Sequence, residues 1–262
     1  MLPFFRQIRQ RLLSQNKLSK YLLYAVGEIL LVVVGILMAL QVNNWNEERK
    51  ERRVELKFFH NLKNDLHADL ERLDYMIDLA TAKVKASQNV KRLSDKDSVG
   101  SLYDFSDHML DLIFVDEFRP NENTYEEMKS SGNFSTLRND SLKLHLLNLR
   151  KTYVDIDGSQ KHMRNDFDLF LADFEKYIDW GKYFDLGKSN IPELQLVYDS
   201  VYIEAHKGIM KKEVRELFRN KVFLNNIFLL EINYAYHMDL LKKTKVQIGD
   251  ILGVLEQELQ MN

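Results

Sequence analysis

The sequence predicts an all-α protein in which one N-terminal transmembrane helix continues into an extracytoplasmic bundle of long helices. Residues 21–42 form a continuous apolar run. The chain has only 3 prolines and 10 glycines in 262 residues, which is few for a turn-rich β architecture. Beyond residue 43, apolar residues recur every three or four positions, which places them on one side of an α-helix.

The apolar run, YLLYAVGEILLVVVGILMALQV, is predicted to be a transmembrane helix. At a rise of about 1.5 Å per residue it is long enough to cross a hydrocarbon layer of about 30 Å. Glu28 is its only ionisable residue between Lys20 and Glu47. The residues at its two ends are aromatic, as is typical of membrane interfaces: Tyr21, Tyr24 and Trp45.

Two alternatives to a transmembrane helix are weaker. A cleaved signal peptide has a basic flank like this one, but the exit of the run lacks small residues at both positions that a cleavage site needs. A buried core helix does not explain the aromatic residues at both ends. We therefore expect an uncleaved membrane anchor.

The flanks of the run predict its orientation. Residues 1–20 are basic and contain no acidic side chain, and we assign their charges to the cytoplasmic membrane interface: Arg6, Arg9, Arg11, Lys17 and Lys20. A long C-terminal domain is translocated largely regardless of its charge. We expect residues 1–20 inside the cytoplasm, as an amphipathic helix on the inner leaflet or a disordered flank, and residues 43–262 outside.

One side of the predicted transmembrane helix carries residues suited to helix packing. Glu28, Gly35 and Ala39 return to nearly the same side because they are seven, eleven or four residues apart. Gly35 and Ala39 are small and allow two backbones to approach closely. A carboxylate in the bilayer costs about 2.5 kcal/mol or more unless it faces protein or is paired or protonated. These residues are therefore the predicted helix contact face.

The soluble part is predicted to begin with one long helix over residues 43–92. Its apolar stripe is interrupted by no glycine or proline, and residues 94–100 form a turn cluster at its end. The charged residues of this helix are interpreted as a solvated face: Glu55, Lys63, Asp65, Asp69 and Lys83.

Further helices are predicted at about 101–116, within 140–185, after Pro192 and at about 221–259. Gly158 lies between the two apolar patterns of the second segment, and Gly208 is expected to divide the third. The pattern from Leu137 to Tyr153 returns from Phe218 to Tyr234 at a constant offset, which fits a pseudo-symmetric bundle.

Residues 118–140 are the most distinctive polar stretch. Asn123 or Thr124 is expected to cap a short helix, Gly132 to follow its end, and Ser135 to cap the next helix. These roles explain the residues structurally. The alternative is a loop that binds a ligand or partner, built from Arg119, Asn121, Asn123, Tyr125 and Arg138.

Residues with catalytic or metal-binding spacing are not evident. The chain has no cysteine, and its histidines are scattered without an H-E-x-x-H pair. No phosphate-cradling glycine loop, nucleophile elbow or dinucleotide fingerprint occurs. The net charge of −2 gives no general case for nucleic-acid binding. We expect no metal, no cofactor and no enzyme activity.

The stretch NKLSKYLLYAVGEILLVVVGILMALQVNNWNE resembles the N-terminal signature of an uncharacterised family of single-span proteins from Bacteroidetes-type bacteria. TYEEMKSSGNFSTLRN is similar to the second recurring stretch of that family. The resemblance implies a bacterial inner-membrane protein with a helical periplasmic domain. It implies no activity.

Three functional hypotheses follow from these observations. The first is a non-enzymatic, membrane-anchored scaffold or accessory subunit that contacts the lipid bilayer and forms a homo-oligomer or binds another membrane protein. Its self-association is expected through the Glu28, Gly35 and Ala39 face and the long helix that follows the membrane. The second is a sensor with a pocket near residues 118–140 that signals through a partner protein. The third is an enzyme with a hidden site, which would require buried titratable groups clustered in one cleft.

Overall fold

The computed structural model describes residues 18–95, 99–179 and 200–261, and within these ranges the protein is all-α, with six helices and no strand. This confirms the predicted fold class. The helices are α1 Leu18–Asp95, α2 Leu102–Ile113, α3 Asn123–Ser130, α4 Asp140–Phe174, α5 Ser200–Arg219 and α6 Lys221–Gln260. The chain divides into two compact units, Met1–Lys57 and Phe58–Asn262.

Helix α1 contains the apolar run and continues without interruption into the charged sequence after it. It has 78 residues, and no proline occurs within it. Glycine and proline are the residues that most disfavour a helix interior. The helix predicted at residues 43–92 therefore lies inside a longer one.

The second unit is organised around heptad seams on three helices, the part of α1 from Phe58 onward, α4 and α6. Buried residues alternate at spacings of three and four, which keeps them on one helix face. In α1 they are Phe59, Leu62, Leu66, Asp69, Leu73, Met76, Ala80, Lys83, Ser87 and Val90. In α6 they are Phe223, Ile227, Leu230, Tyr234, His237, Leu241, Thr244, Ile248, Ile251 and Leu255.

Side-chain contacts show that α6 runs antiparallel to α1. Lys63 pairs with Glu256 at 2.7 Å, and Lys91 pairs with Glu231 at 2.9 Å. Thr81 Oγ1, between them on α1, contacts Met238 Sδ at 3.3 Å. The partner positions on α6 descend as those on α1 ascend, so the two helices stay in contact along this stretch.

Helices α4 and α6 are also antiparallel. Asn139 Nδ2, just before α4, donates to Glu258 at 2.8 Å, and Asn233 Nδ2 donates to Asp166 at 2.7 Å. Because α6 runs antiparallel to both other helices, α1 and α4 run in the same direction.

Helices α2 and α5 enlarge the core near the end of α1. Leu102, Phe105, Met109 and Leu112 of α2 are buried with Ala86 and Val90 of α1. Helix α5 adds Met210, Val214 and Leu217, and α4 and α6 add Phe170, Phe174 and Phe223. The rings of Phe170 and Phe223 lie 6.0 Å apart, within the range of aromatic packing.

The assignment of five charged α1 residues to a solvated face was wrong for three of them. Glu55, Asp69 and Lys83 are buried, whereas Lys63 and Asp65 are partly exposed. Asp69 and Lys83 occupy the same heptad seam as Leu66 and Leu73, so helix geometry turns them inward despite their charge. Glu55 is buried with Arg52 as an ion-pair partner.

Two predicted N-caps were also wrong. Neither Asn123 nor Thr124 caps α3, because the residue before the helix is Glu122, which makes no side-chain cap bond. The carboxylate of Asp65 instead accepts from the Thr124 backbone N–H at 3.0 Å. Helix α4 is capped by Asn139, whose side chain accepts from the Leu142 N–H at 2.9 Å. Ser135 instead donates to the Gly132 carbonyl at 2.7 Å, within the turn after α3.

The glycine predictions had mixed outcomes. Gly132 has φ +80°, a backbone conformation that suits glycine, as expected just past α3. Gly158 lies within the single helix α4, and Gly208 does not divide α5. One helical glycine costs about 1 kcal/mol relative to alanine, which the buried side chains of α5 offset.

The pattern repeated at residues 137–153 and 218–234 has a structural counterpart. Asn139 and Asn220 are both N-caps, and the Asn220 side chain accepts from the Val222 N–H at 2.9 Å. Tyr153 and Tyr234 are both buried in the seams of their helices. The basic residues up to Lys17 and the stretch 180–199, which contains Pro192, lie outside the described residues.

Candidate functional site

The predicted contact face lies on the part of α1 that could cross a membrane. By length and composition α1 is apolar enough to do so, and none of its apolar window is buried. Glu28 is partly exposed, and Gly35 and Ala39 are exposed. A Cβ atom added at Gly35 would meet nothing within 4 Å. This face is therefore open to lipid or to another helix.

The predicted interface residues are described only in part. Arg6, Arg9, Arg11 and Lys17 lie outside the described residues, and Lys20, Tyr21 and Tyr24 are described only as backbone of α1. Trp45 has 58% of its surface exposed. The guanidinium carbon of Arg49 lies 5.0 Å from the Trp45 ring centroid, a distance typical of a cation–π contact.

Of the five residues predicted to form a ligand-binding loop, Asn121 and Tyr125 line one hollow. Arg119, whose side chain is 85% exposed, pairs with Glu117 at 3.2 Å, and Arg138 is also exposed. Asn123 Nδ2 donates to Asn121 Oδ1 at 2.9 Å. Tyr125 lies in α3 beside Phe134, with ring centroids 5.3 Å apart.

The connection between α2 and α3 is held to the bundle through its backbone. The Asn121 N–H donates to Asp69 at 2.8 Å, and Tyr153 donates its hydroxyl to the other oxygen of Asp69 at 2.6 Å. The Gln160 side chain accepts from the Phe118 N–H at 2.6 Å and donates to the Phe118 carbonyl at 3.1 Å. These bonds make the connection a fixed strap, defined as residues 114–124.

The strap and the turn after α3 lie over a packed interior. Phe118, Met128 and Leu137 are buried, and a hollow of about 20 Å³ is lined by Tyr125 and Arg150 among others. A hollow of this size holds about one water molecule. A solid interior beneath this region weighs against the sensor pocket hypothesised there.

Lys83 binds the C-terminal end of α2 from inside the bundle. Its side chain is only 1% exposed, and its ammonium donates to the carbonyls of Asp111 at 2.9 Å, Leu112 at 3.0 Å and Phe114. Its Nζ also lies 4.9 Å from the Tyr234 ring centroid. A cation at a helix C-terminus is favourable because the last carbonyls have no partner within the helix.

Lys83, Tyr234 and His237 line one cavity of about 30 Å³ together with residues 115–117 of the strap. Ala80 and Met163 contribute apolar surface to it. His237 Nδ1 lies 3.2 Å from the Ser159 hydroxyl. The cavity has room for about one water molecule, which limits what it can bind in this conformation.

Burial changes the protonation of the groups around this cavity. It lowers the pKa of Lys83 to about 7, although the charge of Asp111 opposes the shift. Burial also lowers the pKa of His237 to about 4, so the imidazole is neutral near pH 7. It raises the pKa of the Tyr234 hydroxyl, which therefore stays protonated.

Charged groups at the rim of the cavity are paired. Arg164 binds Glu117 at 3.0 Å, and this hydrogen bond lowers the pKa of the Glu117 carboxyl. Arg72 pairs with Asp116 at 2.6 Å and donates to the Glu117 carbonyl at 3.0 Å. These pairs hold the strap in place over the cavity.

Sequence reasoning missed this cluster of titratable groups. Lys83 was assigned to solvent, and His237 was considered only as one of several scattered histidines. The seam spacing of α1 could have placed Lys83 inside, since it follows Ala80 by three residues and precedes Ser87 by four. Within the described residues, no group of histidine and carboxylate side chains could hold a metal ion.

The chain matches a protein family over more than half of its length. The family of unknown function DUF6090 matches residues 28–164, which extend from the apolar part of α1 to the middle of α4. No curated protein and no solved structure matches the chain. Because the matched range covers more than half of the sequence, the protein belongs to the family of unknown function DUF6090.

Proposed function

We propose that this protein is a non-enzymatic, membrane-anchored helical scaffold or accessory subunit that self-associates through its transmembrane helix. Residues 21–42 cross the membrane, residues 1–20 remain in the cytoplasm, and residues 43–262 form an extracytoplasmic domain. The exposed apolar surface of α1 carries the proposal, because none of its apolar window is buried within the chain. Apolar surface of this length requires lipid or protein to cover it.

The proposed self-association is confined to Glu28, Gly35 and Ala39. The heptad seam of α1 from Phe59 to Val90 is already buried, in contact with α4 and α6. It is therefore unavailable to a second copy. Gly35 offers open space for a neighbouring backbone, which favours packing by dispersion in lipid.

The proposal places the protein in the inner membrane of Bacteroidetes-type bacteria. Its support is the resemblance of NKLSKYLLYAVGEILLVVVGILMALQVNNWNE to the signature described above. The basic residues before the apolar run favour a cytoplasmic N-terminus.

Gly35→Leu tests the proposed contact face. A leucine there would keep two backbones apart, so we expect the cross-linked oligomer of the detergent-solubilised full chain to be largely lost. Gly27→Leu is the matched control, since Gly27 is also open but lies on another side of the helix. Equal cross-linking of the two variants and the wild type would contradict the proposal.

A sensor that signals through a partner protein is the second candidate. The cavity lined by Lys83, Tyr234 and His237 has the apolar walls and few polar groups of a ligand site, but at about 30 Å³ it would have to widen to admit a ligand larger than water. This site is not the one hypothesised near Tyr125. Purification from native membranes in mild detergent should then recover a protein with a cytoplasmic signalling domain.

The same cavity meets the criterion for a hidden enzyme, since three buried titratable groups line it. Its volume of about 30 Å³ admits a water molecule and no organic substrate. The Lys83 ammonium is also occupied by three carbonyls. We therefore keep the proposed function non-enzymatic.

A further inference from the structure

The turns of α1 that follow Trp45 separate their charges onto two faces. Arg49 and Arg53 follow Trp45 by four and eight residues, so they lie about 40° and 80° around the helix from it, and Lys57 continues the same rotation. The acidic residues spaced three and four apart share a different side: Glu48, Glu51 and Glu55. A helix with its charges separated in this way presents a cationic stripe directly beyond the apolar run.

Other cations of these turns are engaged with carboxylates. Lys50 pairs with Glu47 at 2.8 Å, and Arg52 pairs with Glu55. Their charges are thus at least partly neutralised within the helix.

Arg49 and Arg53 differ, since neither pairs with a carboxylate in the part of the chain that the structure describes. The Arg49 guanidinium lies against the Trp45 ring, 5.0 Å from its centroid. Arg53 Nε donates to the Arg49 carbonyl at 3.4 Å. Both side chains are exposed, so their remaining N–H groups face the surroundings of the helix.

The position of this stripe suits a phospholipid head group. At about 1.5 Å per residue, Arg49 and Arg53 lie roughly 6 and 12 Å beyond Trp45 along the helix axis. Tryptophan favours the boundary of the hydrocarbon layer, and the head-group region of one leaflet is about 5–7 Å thick. Arg49 therefore lies within that region, and the Arg53 side chain extends back toward it, since its Nε donates to the Arg49 carbonyl. Arginine binds phosphate with two parallel hydrogen bonds and a full charge.

We propose that Trp45, Arg49 and Arg53 form a binding site for the phosphate of an anionic phospholipid in the leaflet where α1 leaves the membrane. The inference rests on the proposed function, because it requires α1 to cross the bilayer. Trp45 fixes the depth of the helix, and the two guanidinium groups bind the phosphate of the adjacent lipid.

This lipid site also affects the proposed contact face. Arg53 follows Gly35 by eighteen residues, which is five helical turns, so the two lie on the same side of α1. Packing two copies through Gly35 brings their Arg53 side chains near each other. A bound anionic lipid would offset the resulting repulsion and favour the oligomer.

Quenching of tryptophan fluorescence by brominated lipids tests the site directly. The full chain with Trp180→Phe retains Trp45 as its single tryptophan. It is reconstituted in vesicles of phosphatidylcholine and phosphatidylglycerol, with bromine on the acyl chains of one lipid or the other. We expect phosphatidylglycerol to quench Trp45 more strongly than phosphatidylcholine does. Its association constant for the site should be higher by a factor of about five for each arginine.

Variants assign the preference to the stripe. In the double variant Arg49→Gln/Arg53→Gln, the two brominated lipids should quench Trp45 fluorescence equally. Lys50→Gln is the control: the Lys50 charge is already paired with Glu47, so this variant should keep the preference for the anionic lipid. Inorganic phosphate at matched ionic strength should leave the preference intact, and its loss would indicate a site for free phosphate instead.

The two proposals fail differently in this experiment. Equal quenching of the parent protein by both lipids would overturn the lipid site and leave the membrane span intact. A lack of quenching by either lipid would overturn the membrane span and, with it, the proposed function.

Discussion

Lys83 places a positive charge inside the bundle, where burial disfavours it, and the carbonyls at the end of α2 offset part of that cost. Because its folded pKa of about 7 lies below the ordinary 10.5, its contribution to stability is present above pH 10.5 and is lost as the pH falls to 7. Stability from this residue therefore rises with pH across that window.

Replacement by an uncharged side chain should remove that pH dependence. We expect Lys83→Met to remove the contribution of Lys83 to the rise in unfolding free energy between pH 7 and 10.5, which is at most about 1.4 kcal/mol per pH unit. Thermal unfolding of the detergent-solubilised full chain, followed by circular dichroism, measures it. Lys85→Met, at an exposed position of the same helix, should retain the wild-type slope.

His237 gives a second pH dependence with a different window. Its folded pKa of about 4 lies below the ordinary 6.5, so its stabilising contribution is present above pH 6.5 and is lost as the pH falls to 4. The unfolding free energy of His237→Gln should therefore fall less steeply than that of the wild type between pH 6.5 and 4, by up to about 1.4 kcal/mol per pH unit. His60→Gln, which changes an exposed histidine, should have the wild-type acid transition.

At the scale of the helices, two buried charges on α1 contact equivalent tyrosines of the repeated pattern. Asp69 accepts from the Tyr153 hydroxyl, and Lys83 lies over the Tyr234 ring. The two charged residues are fourteen positions apart, two heptads along one seam. A polar residue in a heptad seam specifies register, because a shifted helix would leave the charge without its partners.

Asp69→Ala should destabilise the bundle and free the strap. It removes the acceptor for both the Asn121 N–H and the Tyr153 hydroxyl, and a hydrogen bond to a charged group contributes about 1.5–3 kcal/mol. We expect a loss of about 3 kcal/mol and faster hydrogen exchange at Asn121. Asp78→Ala, at an exposed position, should change the unfolding free energy by less than about 0.5 kcal/mol and leave that exchange unchanged.

The helices could be predicted from the sequence because their information is local. Apolar spacing and the scarcity of glycine and proline predict α1 and α6, although the cap of α4 is Asn139 and not the expected Ser135. The interior charges could not be read from hydropathy, since a charged residue in a seam looks like a surface residue until its partners are known. Those partners come from the strap and α2, whose position depends on tertiary contacts.

The cavity was also beyond prediction for a physical reason. It forms where the strap crosses between α1 and α4, at the small Ala80, and periodicity says nothing about where a connection crosses a helix pair. Gly208 and Ser135 show the same limit at smaller scale. Burial of Met210 and Val214 maintains α5 through a glycine, and a local turn uses the Ser135 hydroxyl that was expected to cap α4.

For the whole molecule, the proposed self-association requires a surface that is not already buried within one chain. The second unit buries its seams within one chain, and its ion pairs between α1 and α6, such as Lys63–Glu256 and Lys91–Glu231, are intramolecular. The apolar window of α1 is exposed. The energetic need for a partner therefore belongs to the apolar run, since lipid or another helix must cover it.

Removing residues 1–42 should separate these two properties. We expect the remaining chain, residues 43–262, to appear in the supernatant after membranes are sedimented, because it has lost the apolar run. It should be a monomer with the helical circular dichroism of the bundle, since the seam contacts that stabilise it lie within one chain. Analytical ultracentrifugation measures the mass.

A stable dimer of residues 43–262 would contradict self-association through Gly35 and Ala39 and would place the contact on the bundle surface. The exposed residues of α6, such as Ile232 and Tyr236, would then be the first to substitute.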